Sequence, residues 1–536
     1  MLTSDFEQDL LIKSFNLELK LLVMKFALFI FTLTIGFVSF GQKLRFKVDG
    51  QKDTTVHLVK YFGKGLYYAD TAEMKNGIVE FDGSKQKTGV LGLFLPEQQM
   101  MEFIYNGEEV YIETALPDLM GNAKIKKSEE NKIFFPYVKF IGEKRGLAKT
   151  MSDKRESLDP DSDQYKKLTA DIDKTTEEVL NYQKEIVSNH SDMLVGKIVK
   201  MSMDIDIPEA PKDENGNITD SNFRFLYFRS HFWDNIDLND DRLVRTPVFH
   251  NKLQQYFGKT MMVQHWDTVT YYAYDFCDRL PKGSDMFQYC VSWITSTYEK
   301  SNIMGMDKVF VKMGERYYCS TDENGKSYAF WLLDTEDKQK KLDDLCEKVN
   351  THKNLVMGVV PPNIILRDTT DVNWKDFYSL QKDYTILYFW DPDCGHCKKI
   401  TPKLQTLYHE KLRDRNVEIF AVGKATGDDF EKWKKFVRNN NLEFINVGVT
   451  ASLYEAALED ARQFIPKYTT LESLNYQQTY DIYATPKMWV LDKDKKIIAK
   501  GLTVSQLEDL LDRLQNQKDV EKLFPPEENI EDEQMH

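Results

Sequence analysis

Hydrophobic positions along this 536-residue chain follow three successive rhythms. From Lys43 to about Thr114 the period is two. Leu44, Phe46 and Val48 alternate with polar residues, and Val56 and Leu58 repeat the pattern, which predicts strands. Asn76-Gly77 precedes Ile78 to Phe81, and Asn106-Gly107 stands between Met101 to Tyr105 and Val110 to Ile112. Both dipeptides suit the positive backbone angles of tight hairpins, so an antiparallel β domain is expected over residues 42–118. From about Lys126 to Asn350 the period becomes 3.6, as in Ile172, Val179, Tyr182 and Ile186, interrupted at Asp159-Pro160 and by the polar loop Ile207 to Ser221. A mainly helical domain over 119–355 follows from that spacing.

Beyond Val360-Pro361-Pro362-Asn363 strands and helices alternate. Tyr384 to Trp390 is a continuous apolar strand, Pro402 to Tyr408 reads as helix, and Ile419 to Val422 is again a strand. Phe430 to Val437 is amphipathic and Phe444 to Val447 apolar. Lys487 to Leu491 pairs with Ile497 to Ala499 across Asp492 to Lys495, and a last helix runs from about Val504 to Gln515. The expectation for 356–517 is an α/β domain whose mixed sheet is covered on both faces. Residues 518–536, with Pro525-Pro526 and six acids between Glu521 and Glu533, read as a solvated acidic tail.

One stretch is apolar enough to engage a membrane. Phe26 to Phe40 follows Lys25 and ends in the small residues Ser39 and Gly41. Its length suits a secretory h-region of about 7 to 15 residues rather than a span of roughly 20. Residues 24–41 are therefore expected to be a signal peptide behind an upstream extension, with the mature chain starting at Gln42 and exported to the periplasm or cell envelope. Met24-Lys25 would make the usual start of such a signal. An uncleaved anchor is the alternative, and the absence of a cysteine soon after the run argues against lipid attachment.

Composition narrows the function. The 85 acids against 71 bases give a net charge of -14, and no Lys/Arg-dense stripe is present, so nucleic acid is a poor partner. The aromatic residues of the middle region, such as Phe225, Phe232, Trp233 and Phe276, read as core rather than as a binding groove. Cys277, Cys290, Cys319 and Cys346 lack metal-ligand spacing and are expected to be buried free thiols or one structural bridge. The nine histidines form no metal signature, so no metal is expected.

The remaining two cysteines carry the chemistry. Directly after the buried strand stands Trp390-Asp391-Pro392-Asp393-Cys394-Gly395-His396-Cys397. Strand, turn, CxxC and helix place both sulfurs at one helix N-terminus, where unpaired amides and the macrodipole favour a thiolate. One thiolate attacks a disulfide and its neighbour resolves the mixed disulfide, which requires the two sulfurs to lie within bonding reach. Cys394, nearer the helix end, is the expected nucleophile and Cys397 the resolver. His396 is expected to tune Cys394 downward, while Asp391 and Asp393 push upward, so the net sign is open. A structural disulfide or half of a zinc site are the rival readings.

With Phe389-Trp390 before the motif, Pro402 five residues after Cys397, Trp433, Phe444 to Val447 and Ala484-Thr485-Pro486 before an apolar strand, the region from about Pro361 to Gln515 resembles the TlpA-type thioredoxin-like oxidoreductases of bacterial envelopes. The resemblance implies a thioredoxin fold with a cis-proline at Pro486 facing the dithiol, and Trp390, Thr485 and Pro486 as substrate-contact residues. It further implies a central insertion between Val447 and Tyr480, protein thiols or disulfides as substrates, a redox partner protein upstream, and no cofactor. The chain departs from the family at Tyr388, where thioredoxins keep a buried acid, and at Ile400, where TlpA-type reductases often place Glu. Cys-Gly-His-Cys itself matches protein disulfide isomerases, at about -180 mV against about -270 mV for thioredoxin, leaving reductase, oxidase and isomerase open. The rival from another class is an envelope scaffold whose first 350 residues bind a partner while the dithiol is secondary.

Overall fold

The computed structural model describes residues 42–517 and 520–525. The expected signal peptide and upstream extension lie outside the described residues. The chain divides into two compact units, Met1–Lys252 and Leu253–His536. The division falls inside the region expected to be one helical domain.

In the first unit, eight strands form two four-stranded sheets. These are β1 (Lys43–Asp49), β2 (Thr54–Phe62), β3 (Gly65–Met74), β4 (Ile78–Asp82), β5 (Gly89–Phe94), β6 (Met100–Tyr105), β7 (Val110–Ala115) and β8 (Lys124–Lys127). One sheet has the order β4-β1-β7-β8 and the other β3-β2-β5-β6. Alternation buries Leu44, Phe46 and Val48 from β1 and leaves the intervening Arg45 and Lys47 at the surface. Asn76-Gly77 makes the tight turn, with φ of 50° and 74° and Lys75 and Ile78 exchanging backbone hydrogen bonds, but the strands it joins, β3 and β4, go to different sheets.

Asn106-Gly107 does not make a hairpin. β6 pairs with β5 in one sheet, whereas β7 runs parallel to β1 in the other, so this turn carries the chain from sheet to sheet. Only Gly107 takes a positive φ, 81°. Asn106 is instead held as a corner by Glu130 and by Arg242, which donates to its side-chain oxygen at 2.8 Å. The β domain also extends past the expected boundary at 118, because β8 pairs with β7.

The helices of this unit are α1 (Glu129–Glu156), α2 (Asp163–Asn189), α3 (Leu194–Ser202) and α4 (Phe223–His231), with α5 (Pro247–Tyr256) spanning the division. Buried Asn131 fixes α1 to the sheet by exchanging hydrogen bonds with both backbone groups of Ile104, at 2.8 and 2.7 Å. The buried Glu130 carboxylate accepts the amides of Leu194 and Val195 at the start of α3, where the helix leaves donors unpaired. Phe232 and Trp233 are core residues as expected, but Phe225 is 41% exposed.

The second unit opens with α6 (Trp266–Arg279), α7 (Asp285–Glu299), α8 (Asp307–Tyr317) and α9 (Glu336–His352). Cys319 and Cys346 form a disulfide that ties the end of α8 to α9, while Cys277 and Cys290 are buried free thiols. The α/β domain then follows as β9 (Ile365–Asp368), β10 (Trp374–Asp376), β11 (Tyr384–Trp390), α10 (Gly395–Leu407), β12 (Val417–Gly423), α11 (Asp429–Asn439), β13 (Ile445–Gly448), α12 (Ala451–Asp460), α13 (Leu471–Leu474), α14 (Tyr476–Thr479), β14 (Lys487–Leu491), β15 (Ile497–Lys500) and α15 (Val504–Leu514). Its sheet has the order β10-β9-β13-β12-β11-β14-β15. Apolar cores cover both faces: Ile386, Tyr388 and Trp390 of β11 point into one, Leu387 and Phe389 into the other. That double burial is why β11 reads as an unbroken apolar run.

The helical segment is locked onto this domain. Lys500 pairs with Asp307 and also donates to the Leu355 carbonyl at 2.8 Å, His352 pairs with Asp481 at 3.1 Å, and Ile497 donates to the Val359 carbonyl at 2.9 Å. The expected solvated tail is corrected in part. Glu508 of α15 accepts the amides of Leu523 and Phe524, and Lys522 reaches Asp509 at 2.6 Å, so the tail is tethered to the last helix there and Phe524 packs against the core, while its other residues from 520 to 525 are exposed.

The disulfide spans 27 residues, which corresponds to about 3.5 kcal/mol of loop entropy withheld from the unfolded chain. Replacing both Cys319 and Cys346 by Ala is expected to lower the unfolding free energy of this unit by about that amount, seen as a lower urea midpoint with a somewhat steeper slope because the denatured chain loses its cross-link and expands. An unaltered midpoint would show that the bridge contributes nothing.

Candidate active site

The active-site loop is built by the end of β11. Three residues after Trp390 the chain turns, with the Cys394 amide donating to the Asp391 carbonyl at 3.1 Å, and Cys394 becomes the N-cap of α10 in an extended conformation. Cys394 is partly exposed, whereas Cys397, one turn into the helix, is fully buried. This is the exposure difference expected of a nucleophile and its resolver.

Thr485 and Pro486 arrive from the other side. β14 runs antiparallel to β11 with Lys487 opposite Phe389, so the two residues before β14 meet the start of α10. The Thr485-Pro486 bond is cis, and the Cys394 thiol donates to the Thr485 carbonyl at 3.3 Å. Hydrogen bonding from the Thr485 side chain favours the thiolate at both sulfurs. The Asp391 amide approaches Cys397 Sγ at 3.5 Å.

Partial burial pushes the Cys394 pKa up. The amides of Cys397 and His396 and the side chains of Thr485 and Cys397 more than offset it, leaving the thiol below its ordinary value. Burial pushes Cys397 up to about 11. The dithiol therefore loses its first proton at Cys394, and the neighbouring Cys397 thiol donates to the resulting thiolate.

Two of the expected influences change character. His396 is exposed, and its contribution to Cys394 is its backbone N–H rather than its imidazole. The two acids expected to oppose ionisation are each matched by a lysine: Lys432 holds Asp393 at 2.6 Å, and Lys424 lies 3.6 Å from Asp391. Both lysines also meet Asp429 at the start of α11, so a small network of alternating charge flanks the dithiol. These lysines lie about 30 to 40 positions downstream of the motif, and no local spacing signals them.

Trp390 is corrected. It is 1% exposed and packs on Phe436 at a ring separation of 5.0 Å, so it is a core residue and not the exposed contact expected of a substrate-binding tryptophan. β11 is buried on both faces up to its last residue, and the position immediately before Cys394 is the exposed Asp393. At the two departures from the family, Tyr388 is buried with its hydroxyl 2.8 Å from Thr401, and Ile400 is partly buried against the core.

Comparison with known proteins agrees with this geometry. Residues 382–497 match the family model described as thioredoxin-like, and the chain belongs to the thioredoxin-like family through this C-terminal domain. Upstream, residues 43–134 and 166–328 match two further families, each described as a domain of unknown function. The chain matches no curated protein. Among solved structures, a domain of a possible thiol-disulfide isomerase from Cytophaga hutchinsonii is 34% identical, covering 30% of this chain and 95% of that one, with a TM-score of 0.24. The thioredoxin domain of a thiol-disulfide oxidoreductase from Bacteroides vulgatus is 22% identical over 30% of this chain and 97% of its own, also at 0.24. A thioredoxin-like protein from Bacteroides caccae is 16% identical over 57% of this chain and 97% of its own, at 0.30.

Alkylation by iodoacetamide is expected to proceed at Cys394 with an apparent pKa below that of a free thiol, and at Cys397 only near pH 11. His396→Ala keeps the backbone donor and should leave the Cys394 pKa close to wild type. His396→Pro removes that donor and should raise it. Equal rates at the two sulfurs, or a larger rise in His396→Ala than in His396→Pro, would contradict the assignment.

Proposed function

We propose that this protein is an exported thiol:disulfide oxidoreductase acting on protein substrates in the cell envelope. The observation that carries the reading is the paired geometry of a thiol at a helix N-terminus with lowered pKa, its buried neighbour, and the Thr485 carbonyl beside them. The Cys394 thiolate attacks one sulfur of a substrate disulfide, and the substrate's other sulfur leaves as a thiolate. Cys397 then loses its proton and attacks Cys394 Sγ, the mixed disulfide breaks, and the substrate departs with two thiols while Cys394 and Cys397 are joined. Two electrons pass from protein to substrate, and the reverse sequence oxidises a substrate dithiol.

A redox partner protein restores the starting state, and its potential relative to the dithiol sets the direction of flow. Thr485 and Pro486 border the approach to Cys394 and supply backbone to an incoming chain. Export is supported by the Cys319–Cys346 bridge, since structural disulfides persist in oxidising compartments. The resolving step is the slow one, because Cys397 is buried with a raised pKa and Tyr388 and Ile400 stand where related domains keep acids.

Turnover of insulin disulfides is expected to fall by at least about 10³ in Cys394→Ser, the loss typical of removing a nucleophile. Ile400→Glu, one helical turn beyond Cys397, should speed release of the mixed disulfide roughly several-fold by offering a proton acceptor. Retained turnover in Cys394→Ser would refute the reading. Export is checked separately: protein recovered from an envelope fraction should begin at Gln42, and a product still carrying Phe26 to Phe40 would contradict cleavage.

A further inference from the structure

Beside the dithiol lies a cavity of about 520 Å³ that two parts of the second unit share. The thioredoxin-like domain supplies Ile400 from α10, Pro486 next to the Cys394 partner Thr485, and Leu502 from the turn after β15. The opposite wall is the segment Ser301 to Gly305 between α7 and α8, with Ile303 and Met304. This wall is not a loose loop. Asp307 directly after it pairs with Lys500, and Lys500 also holds the Leu355 carbonyl, so the segment is fastened across the groove.

Three features of the cavity point to one kind of occupant. The lining mixes charged groups with apolar ones, among them Ile303, Met304, Ile400 and Leu502, and Met304 remains 45% exposed. The apolar part of that lining fits a side chain of Leu, Met or Phe size. Asp307 also lines the cavity, and its Oδ1 atom is buried without a hydrogen-bond partner among the described residues, although its other oxygen takes Lys500. An unsatisfied buried acceptor is costly unless a donor arrives, and a peptide N–H is such a donor. Lys487 lines the same space and donates to the Asp481 carbonyl; the Asp481 carboxylate, paired with His352, acts on it electrostatically without forming a salt bridge to it among the described residues.

We propose that the segment Ser301 to Gly305 and the thioredoxin-like domain together form a recognition slot for an extended polypeptide that carries a bulky apolar side chain beside its reactive cysteine. This rests on the oxidoreductase reading above and assigns substrate selection to residues outside the thioredoxin-like domain. In the slot, the apolar side chain packs between Met304 and Leu502, the peptide amide donates to Asp307 Oδ1, and Lys487 attracts an acidic neighbour. Pro486 belongs to the slot and adjoins Thr485 of the dithiol site, so a chain seated in the slot lies next to the approach to Cys394.

The test compares two probes on the full chain. One is a disulfide-linked peptide with Leu beside its cysteine, together with the same peptide bearing Lys there. The other is 2,2′-dithiodipyridine, a small disulfide that needs no slot. Wild type should prefer the Leu peptide. Met304→Asp should lower kcat/KM for that peptide about ten-fold or more, the scale of losing a hydrophobic contact in a specificity pocket, and erase its advantage over the Lys peptide. Its rate with 2,2′-dithiodipyridine should be unchanged, and Met304→Leu should retain the peptide rate. An unchanged peptide rate in Met304→Asp, a parallel loss with both probes, or a gain in peptide rate would overturn the slot while leaving the dithiol chemistry standing. A wild-type protein inert toward both probes would refute the oxidoreductase reading, and this proposal with it.

Discussion

The candidate site depends on the register of β11 between its two neighbours. β12 runs parallel to it from Tyr384 opposite Val417 to Trp390 opposite Gly423, and β14 runs antiparallel with Phe389 opposite Lys487. That register sets the end of β11, hence the start of α10 and the Cys394 thiol, against Thr485, 91 residues further along the chain. A shift of one residue would turn every β11 side chain to the wrong core, so the apolar pattern on both faces pins the sulfur to the carbonyl. Gly423, which closes β12, is part of the same constraint: a Cβ there would lie 2.2 Å from the Trp433 ring.

Once the sulfurs are placed, local electrostatics separates their roles. Both feel burial, which disfavours a thiolate, but only Cys394 sits where several helix amides converge. The charge network at Asp391, Asp393, Lys424, Lys432 and Asp429 leaves no uncompensated carboxylate to counter those amides. The helix end therefore decides the order of ionisation, and the side chain between the cysteines contributes through its backbone.

Much of this was legible in the sequence. The β11 run, the CxxC spacing and the Thr485-Pro486 pair before an apolar strand marked the fold and the two sulfurs, because each depends on near neighbours in the chain. The sign of the Cys394 shift was not legible, since it turns on how far hydrogen bonds, one of them from Thr485 far along the chain, offset the partial burial of the sulfur. Trp390 was misjudged because a tryptophan near a CxxC looks the same in sequence whether it faces a groove or a core. Asn106-Gly107 was misjudged for a similar reason: the dipeptide signals a turn, and only the pairing of β6 and β7 with different partners shows that it is a corner. The wall formed by Ser301 to Gly305 carried no signal, as nothing in that segment announces what it will face.

The central claim is that Cys394 is the sulfur that meets the substrate. Mass spectrometry of the covalent adducts formed with a peptide disulfide by Cys397→Ser and by Cys394→Ser tests it most directly. The account predicts a stable mixed disulfide on Cys394 in the first variant and almost none on Cys397 in the second at neutral pH. An adduct that accumulates as readily on Cys397 in the absence of Cys394 would contradict it.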